Sequence, residues 1–197
     1  MNSEALLSFL KENLKLNDDE IEMSKHLWKK VTYEKGSYFN QRGDICLQLG
    51  FIEKGIFRTY FIDDHSKEHI LFLSGRGELV TALRSMTKKI QCTYYIEAIV
   101  ESSIWVINVD DLENLYEISK GWERAGRIIA EESFFALLHR METISFLCAR
   151  DRYMQFLKEF PDLPSHIPQY YIASFLGMEN PSLSRLKRGI TTNKQNS

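Results

Sequence analysis

Leu6, Leu7, Phe9, Leu10 and Leu14 recur at helical spacing, which predicts a short amphipathic helix over residues 3–14. Asn17 or Asp18 can cap a second helix running to Leu27 or Trp28, with Ile21 and Met23 among its apolar positions. At Val31 the texture changes. From there to Val109 the chain reads as short strands punctuated by Gly36, Gly43, Gly50, Gly55, Gly75 and Gly77. In GFIEKGIFRTYFID, Phe57, Thr59 and Phe61 alternate with Arg58, Tyr60 and Ile62, and the segment is rich in aromatic and β-branched residues. EHILFLS, CTYYIEAIV and SSIWVINV continue the pattern. Several short strands with close turn signals predict a closed or rolled antiparallel sheet.

After Val109 the pattern is helical again. Asp110 can cap a helix covering DLENLYEIS. No proline occurs between Gly121 and Pro161. That stretch holds Ile128, Ile129, Phe134, Phe135, Leu137, Leu138, Met141, Ile144, Phe146 and Leu147, which predicts one long, strongly apolar helix. A small β-domain cannot hide that much apolar surface on one helix. A second copy of the helix could, so a helix-mediated homodimer is expected, against the competing reading of burial within the chain's own domains. A further helix, about Asp151–Phe160, ends at the loop made by Pro161 and Pro164. Ser165 or His166 then precedes a helix beginning near Ile167 or Pro168.

Composition narrows the class. In 197 residues the hydrophobic fraction is 44%, enough for a real core and too much for a disordered chain. Cys46, Cys92 and Cys148 are too few and too scattered for a disulfide framework or a closed cysteine zinc site. No run of about 18 apolar residues offers a membrane span. The N-terminus carries acids where a signal peptide needs a cationic flank, so a soluble, cytoplasmic protein is expected. The net charge of -2 hides an asymmetry: residues 1–145 sum to -5 and residues 146–197 to +3. From Asn180 onward there are four basic residues and no acid. A basic segment on an acidic body is one footprint of a nucleic-acid module, although a solvated helix face gives the same count.

The most informative stretch is QYYIASFLGMENPSLSRLKR, residues 169–188. Counted as a helix-turn-helix unit, it has Ala173 where two helices cross closely and Gly177 in the tight turn between them. Ile172, Leu176, Met178, Leu183 and Leu186 fall where the pair must pack. Asn180 as N-cap and Pro181 as first helical residue start a helix over Pro181–Arg188 that exposes Ser182, Ser184, Arg185, Lys187 and Arg188. Ser182, Arg185 and Asn180 are the candidates for reading base edges. Ser184, Lys187 and Arg188 are the candidates for anchoring phosphates. An ordinary α-hairpin with a polar face is the bland alternative.

A β-roll, a long helix and a C-terminal helix-turn-helix in about 200 residues resemble the Crp/Fnr family of transcription factors, in particular its short branch in Bacteroidetes-like bacteria. The likeness rests on EKGSYFNQRGDICLQLGFIEKGIFRTYFID, with Gly36, Gly43 and Gly55 at the family's turn glycines, on GRGELVTAL and YYIEAIVESSIWVI, and on IASFLGMENPSLSRLKR. It implies an α+β chain in three parts. A cyclic-nucleotide-binding-like antiparallel β-roll (a double-stranded β-helix) with N-terminal helices occupies 1–117. A dimerisation helix occupies 118–147 and an all-α helix-turn-helix domain 148–197. It also implies a homodimer on double-stranded promoter DNA, with half-sites roughly 34 Å apart. An unidentified small-molecule effector and RNA polymerase are the further partners it implies.

The departures are as informative. The family's cyclic-nucleotide pocket uses a Gly-Glu pair opening a short helix and a later Arg-Ser or Arg-Thr pair. The matching positions here are Thr81-Ala82 and Cys92-Thr93, a degenerate effector pocket. Without the ribose carboxylate and the phosphate cation, cAMP binding is expected to be absent or very weak; a shifted anion site could use Arg76, Arg84 or Lys88. In the recognition helix Pro181 and Asn180 replace a family Glu and Arg, while Arg185 matches a base-contacting Arg. After Arg188 only GITTNKQNS remains where relatives often carry a β-wing, and Lys194 alone could substitute for its phosphate contact. Cys92, near the presumed pocket, could sense oxidants or be a small buried hydrophobe. No catalytic motif, cofactor site or metal site is expected, so the chain is read as a non-enzyme. His65, Glu68 and His69 lack the His-x-His of a cupin-like metalloenzyme, which stays as a remote alternative. A sensor or protein-interaction module that has lost DNA binding is the nearer one.

Overall fold

The computed structural model describes residues 3–161 and 163–195, with side chains to Ile190. Ser3 caps a short first helix α1 (Glu4–Ser8), which continues through a wider π turn at Phe9–Asn13. α2 (Asp18–Ser24) starts at Asn17, which takes the amide of Glu20 while the Glu20 carboxylate takes that of Asn17. This capping box selects Asn17 over Asp18 as the cap. The helix stops earlier than the sequence suggested. The Ser24 hydroxyl donates back to the Ile21 carbonyl, and Leu27 closes a turn on Ser24.

Eight strands follow: β1 (Lys29–Tyr33), β2 (Tyr38–Asn40), β3 (Gln48–Lys54), β4 (Phe57–Ile62), β5 (Glu68–Ser74), β6 (Leu79–Val80), β7 (Tyr95–Ala98) and β8 (Ser102–Asn108). α3 (Leu83–Lys88) interrupts them. They form two four-stranded sheets, ordered β1-β8-β3-β6 and β2-β7-β4-β5, with antiparallel pairing in each. The rolled antiparallel sheet expected from the pattern is present. Gly36, Gly43 and Gly55 all adopt positive φ. Gly55 has a second constraint, because a Cβ there would lie 2.0 Å from the Ser102 hydroxyl that receives the Ile56 amide.

β3 and β8 read as nearly continuous apolar runs because both of their faces are covered. Ile52, Phe57, Ile96 and Ile104 fill the inside of the roll, while Leu6, Leu10, Leu14 and Trp28 join the same core from the N-terminal segments. Phe9 packs on Phe51 with ring centroids 5.0 Å apart.

α4 (Val109–Ile118) is capped by Asn108, whose side chain takes the Asp110 amide. Asp110, the expected cap, is inside the helix, because the chain leaves β8 in extended geometry only as far as Asn108. α5 (Lys120–Phe146) is the expected long helix, capped by Ser119. Its first part is anchored: Trp122 is buried and donates to the Glu20 carbonyl, and Ala125 and Ile129 enter the main core. Beyond Ile129 its apolar side chains emerge into solvent. Phe134 is 60% exposed and Phe146 79%, with Phe135, Leu137, Met141 and Ile144 also exposed.

α6 (Ala149–Glu159) turns back, and a short 3-10 turn (Leu163–Ser165) leads to α7 (Gln169–Phe175) and α8 (Asn180–Gln195). Pro168 is extended, so α7 starts just after the expected position. α8 runs past Arg188, since Gly189 is a weak breaker costing about 1 kcal/mol. A second core holds α6, α7 and α8 on the outer face of β4–β5, through Tyr60, Ile70, Leu73, Phe156, Ile172 and Leu183 among others.

Glu53 on β3 illustrates how charge is tied into the roll. It pairs with Lys30 at 2.5 Å and accepts from the Trp105 indole at 3.0 Å. The hydrogen bond from Lys30 first, then those from Ser3 and Trp105, hold its carboxyl at about 2, below the ordinary 4.5. A depressed folded value contributes stability that is present above the unfolded value and lost as pH falls through the folded one. The stability gap between wild type and Glu53→Gln, measured by urea unfolding, is therefore expected to be full above about pH 5 and to close toward about pH 2.

Candidate functional site

The turn between α7 and α8 is set by backbone geometry. Gly177 has φ +64°, its amide donates to the Ser174 carbonyl, and the Met178 amide reaches back to the Ala173 carbonyl. That pair of bonds is a Schellman ending, which favours glycine where the chain turns left-handed. The Glu179 carbonyl then accepts from Ser182 and Leu183 and opens α8. Ile172, Ala173, Leu176 and Leu183 are buried between the helices, with Met178 and Leu186 packed against them. The packing positions expected for the pair are all in place.

The polar candidates need correction. Glu179, one residue earlier, is the cap of α8; Asn180 is its first helical residue and takes a hydrogen bond from Gln169 at 3.0 Å, bridging the two helix starts. Asn180, Arg185 and Arg188 are exposed, but Ser182, Ser184 and Lys187 are half-buried, because α8 rests on α7 along its Leu183–Leu186 side. Arg185 and Arg188, three residues apart, share one exposed ridge. Arg185 approaches the Ser182 hydroxyl at 3.4 Å. The Lys194 side chain lies outside the described residues.

α7 is docked on the β-roll by a polar cluster that sequence reasoning missed. Arg58 on β4 is 4% exposed. It donates to Glu97 on β7 at 2.7 and 3.1 Å and pairs with Glu68 on β5. Its guanidinium lies 3.8 Å from the Tyr60 ring centroid and 4.3 Å from that of Tyr171 on α7. Burial alone would lower the Arg58 pKa, but the bonds to Glu68 and Glu97 outweigh it and hold the charge. Beside it, burial pushes the Tyr60 and Tyr171 hydroxyls well above the usual phenol range. Ser174, also on α7, accepts from the Ile70 amide and donates to the Glu68 carbonyl, covering open backbone groups of edge strand β5. Lys67 pairs with Glu179 at 2.6 Å. A lone Arg in an aromatic strand was the visible signal; its carboxylate partners stand on strands whose pairing no local pattern gives.

The four positions of the degenerate pocket are only partly brought together. Ala82 is buried at the start of α3 and offers no capping side chain. The Thr81 hydroxyl is turned inward to the Gln48 carbonyl at 2.9 Å. Cys92 and Thr93 line a small cavity of about 60 Å³, far below the several hundred Å³ of a usual ligand pocket; at Arg84 and Tyr94 it borders a larger one. Thr81 instead lines that larger cavity of about 1020 Å³ between β4–β5, α5 and α6. His69 is held by Asp63 at 2.6 Å and stacks on Phe61, and the same Asp63 takes the His65 and Lys67 amides, so these residues build a hairpin end. Among the described residues no cluster of His, Cys, Asp or Glu is placed to hold a metal ion, and no helix is long and apolar enough to cross a membrane.

Residues 30–119 match the family model of the cyclic nucleotide-binding domain. Around this matched segment the likeness extends to the folds of whole regulators. The structure of FixK2 from Bradyrhizobium japonicum matches with a TM-score of 0.74 at 16% identity, over 85% of this chain and 86% of that one. A regulator assigned to the crp/fnr family, from Eubacterium rectale, matches at 0.70 and 20% identity, over 91% and 85%. The c-di-GMP responsive regulator CLP of Xanthomonas campestris matches at 0.67 and 16%, over 90% and 93%. The chain thus has the Crp/Fnr fold. No curated protein matches the sequence significantly.

Inside the domain, Cys46 and Cys92 are buried, and burial raises the Cys92 thiol pKa; Cys148, between α5 and α6, is exposed. Titration with a disulfide reagent is expected to show one fast thiol, lost in Cys148→Ser. The other two should react at least about tenfold more slowly until the protein is unfolded.

Proposed function

We propose that the chain is a homodimeric, DNA-binding transcriptional regulator of the Crp/Fnr type. The observation that carries this reading is the α7–α8 pair, packed through a Schellman turn, whose second helix presents Arg185 and Arg188 on an acid-free exposed ridge. Arg185 and Ser182 read base edges, Asn180 sits at the entry of the helix, and Ser184, Lys187 and Arg188 contact phosphate. In this reading residues 1–117 are the sensor, 118–147 the dimerisation helix and 148–197 the DNA-binding unit. The dimer is supported by the second half of α5, where Phe134, Phe135, Leu137, Met141, Ile144 and Phe146 stand exposed on one helix. That much contiguous apolar surface favours a self-complementary two-fold contact with a second α5.

The residues at the α3 turn do not suit a cyclic nucleotide. Ala82 cannot hold a ribose hydroxyl, Cys92 and Thr93 bring no cation, and Arg84 is an exposed side chain at the border of the 60 Å³ space and the larger cavity. Regulation therefore works through another effector, and the protein acts in the cytoplasm without catalysis.

Selection of fragments from a random duplex pool tests the reading. Enrichment of a two-fold-related site is expected, with half-sites roughly one helical turn apart. Arg185→Ala should cost about 1–3 kcal/mol and relax preference at one base position; Arg188→Ala should weaken all sequences alike and lower the salt slope by about 1. Leu137→Asp with Met141→Asp should yield a monomer in sedimentation and lose the two-fold site. A wild type that enriches no sequence at low salt, with or without cell extract, would contradict the reading.

A further inference from the structure

We propose that the cavity between the β4–β5 sheet, α5 and α6 binds a small organic anion with an extended apolar body, its carboxylate or phosphate held by Arg140 and Arg152. The space measures about 1020 Å³, at the upper end of small-molecule pockets. α5 lines it from Ile128 to Thr143, a run of about 22 Å at 1.5 Å per residue. Phe72, Leu79, Ile129, Leu137, Phe156 and Phe175 make its walls predominantly apolar.

Two polar atoms break that pattern. Arg140 Nη1 and Arg152 Nε are buried and have no hydrogen-bond partner among the described residues. One other nitrogen of each guanidinium is used: Arg140 Nη2 donates to the Phe175 carbonyl, and Arg152 Nη1 to the Leu147 carbonyl at 3.1 Å. Burial first, and then repulsion from Arg152, lower the Arg140 pKa to about 10. Glu159, on the same wall, is taken up by Gln155 at 2.7 Å and His139 at 3.0 Å. Two neighbouring cations with spare buried donors at the end of an apolar trough are compensated only in part, by the charge of Glu159 acting on Arg140. An anion placed there would satisfy both, with charge-assisted bonds, while its tail lies along α5. Arg140 lies about 16 Å along α5 from Ile129, and the same cavity continues to Thr81, Leu83 and Arg84 at the α3 turn.

Arg140 also stacks on the Phe175 ring at 4.0 Å, and Phe175 ends α7. A ligand drawing on Arg140 would therefore compete with a contact that holds α7. That makes the cavity an effector site for the proposed regulator, and this consequence rests on the DNA-binding reading. Ligand binding itself does not, and it is measured without DNA.

The test is calorimetry on the full chain with decanoate and decyl phosphate below their micellar concentrations and decanol below its solubility limit. At least one of the two anions should bind about tenfold or more tightly than decanol, and the tighter one identifies carboxylate or phosphate as the natural head group. Arg140→Gln and Arg152→Gln should each remove that preference while decanol binding persists, and Arg150→Gln, on the exposed side of α6, should change nothing. Ser133→Trp, which fills the trough without touching either Arg, should weaken anion and alcohol together. Equal affinity for decanol and both anions, binding unchanged by the Arg substitutions in folded protein, or no binding at all would overturn the site. Hydrogen exchange over residues 169–178 should accelerate with the bound anion; unchanged exchange beside measured binding would overturn the link to α7.

Discussion

A guanidinium taken out of water must be met by charge and polarisable surface from every side, and Arg58 is where this chain meets that demand. Leaving it buried without partners would cost several kcal/mol. Four elements supply the compensation together: Tyr60 from its own strand, Glu97 from directly across the β4–β7 ladder, Glu68 from β5, and the ring of Tyr171 from α7. The cluster therefore fixes more than a strand register. It requires α7 to sit on the outer face of the second sheet, and Ser174 and Lys67–Glu179 reinforce that position at the edge strand and at the α7–α8 turn. The orientation of α8 follows, since Gly177 and the buried Leu183 bind it to α7.

The long helix works as two different objects joined end to end. Its first turns belong to the β-roll: Trp122, Ala125 and Ile129 are buried in the same core as the strands. Its second half has left that core and carries apolar side chains on the outside and Arg140 toward the second core. One rigid rod thus touches the roll, the large cavity and the end of α7. A change at any of these three places would therefore bear on the same helix.

Much of this was legible locally. Alternation in FRTYFID, the absence of proline from Gly121 to Pro161, and the Ala173, Gly177 and Leu183 spacing each report a short-range constraint, and each gave the right element. What was not legible depends on distant pairing. The N-terminal helices look like an independent amphipathic segment, yet they cover the outer face of β3 and β8. Arg58 looks like the polar side of a half-exposed strand, because Glu68, Glu97 and Tyr171 come within reach only after three strands and a helix have assembled. Asn180 followed by Pro181 reads as a helix start, but the Schellman turn had already placed the cap on Glu179. The effector pocket was read as one constellation, whereas folding sends Thr81 to the large cavity and Cys92 and Thr93 to a small one.

The central claim is that the buried Arg58 cluster holds the α7–α8 pair on the β-roll. Hydrogen exchange of wild type beside Arg58→Met measures this directly. Amides of residues 169–178 are predicted to exchange at least about tenfold faster in the variant, while Ile104–Ile107 in the centre of β8 keep their protection. Equal protection of α7 in both proteins, or the same loss in β8 as in α7, would contradict it.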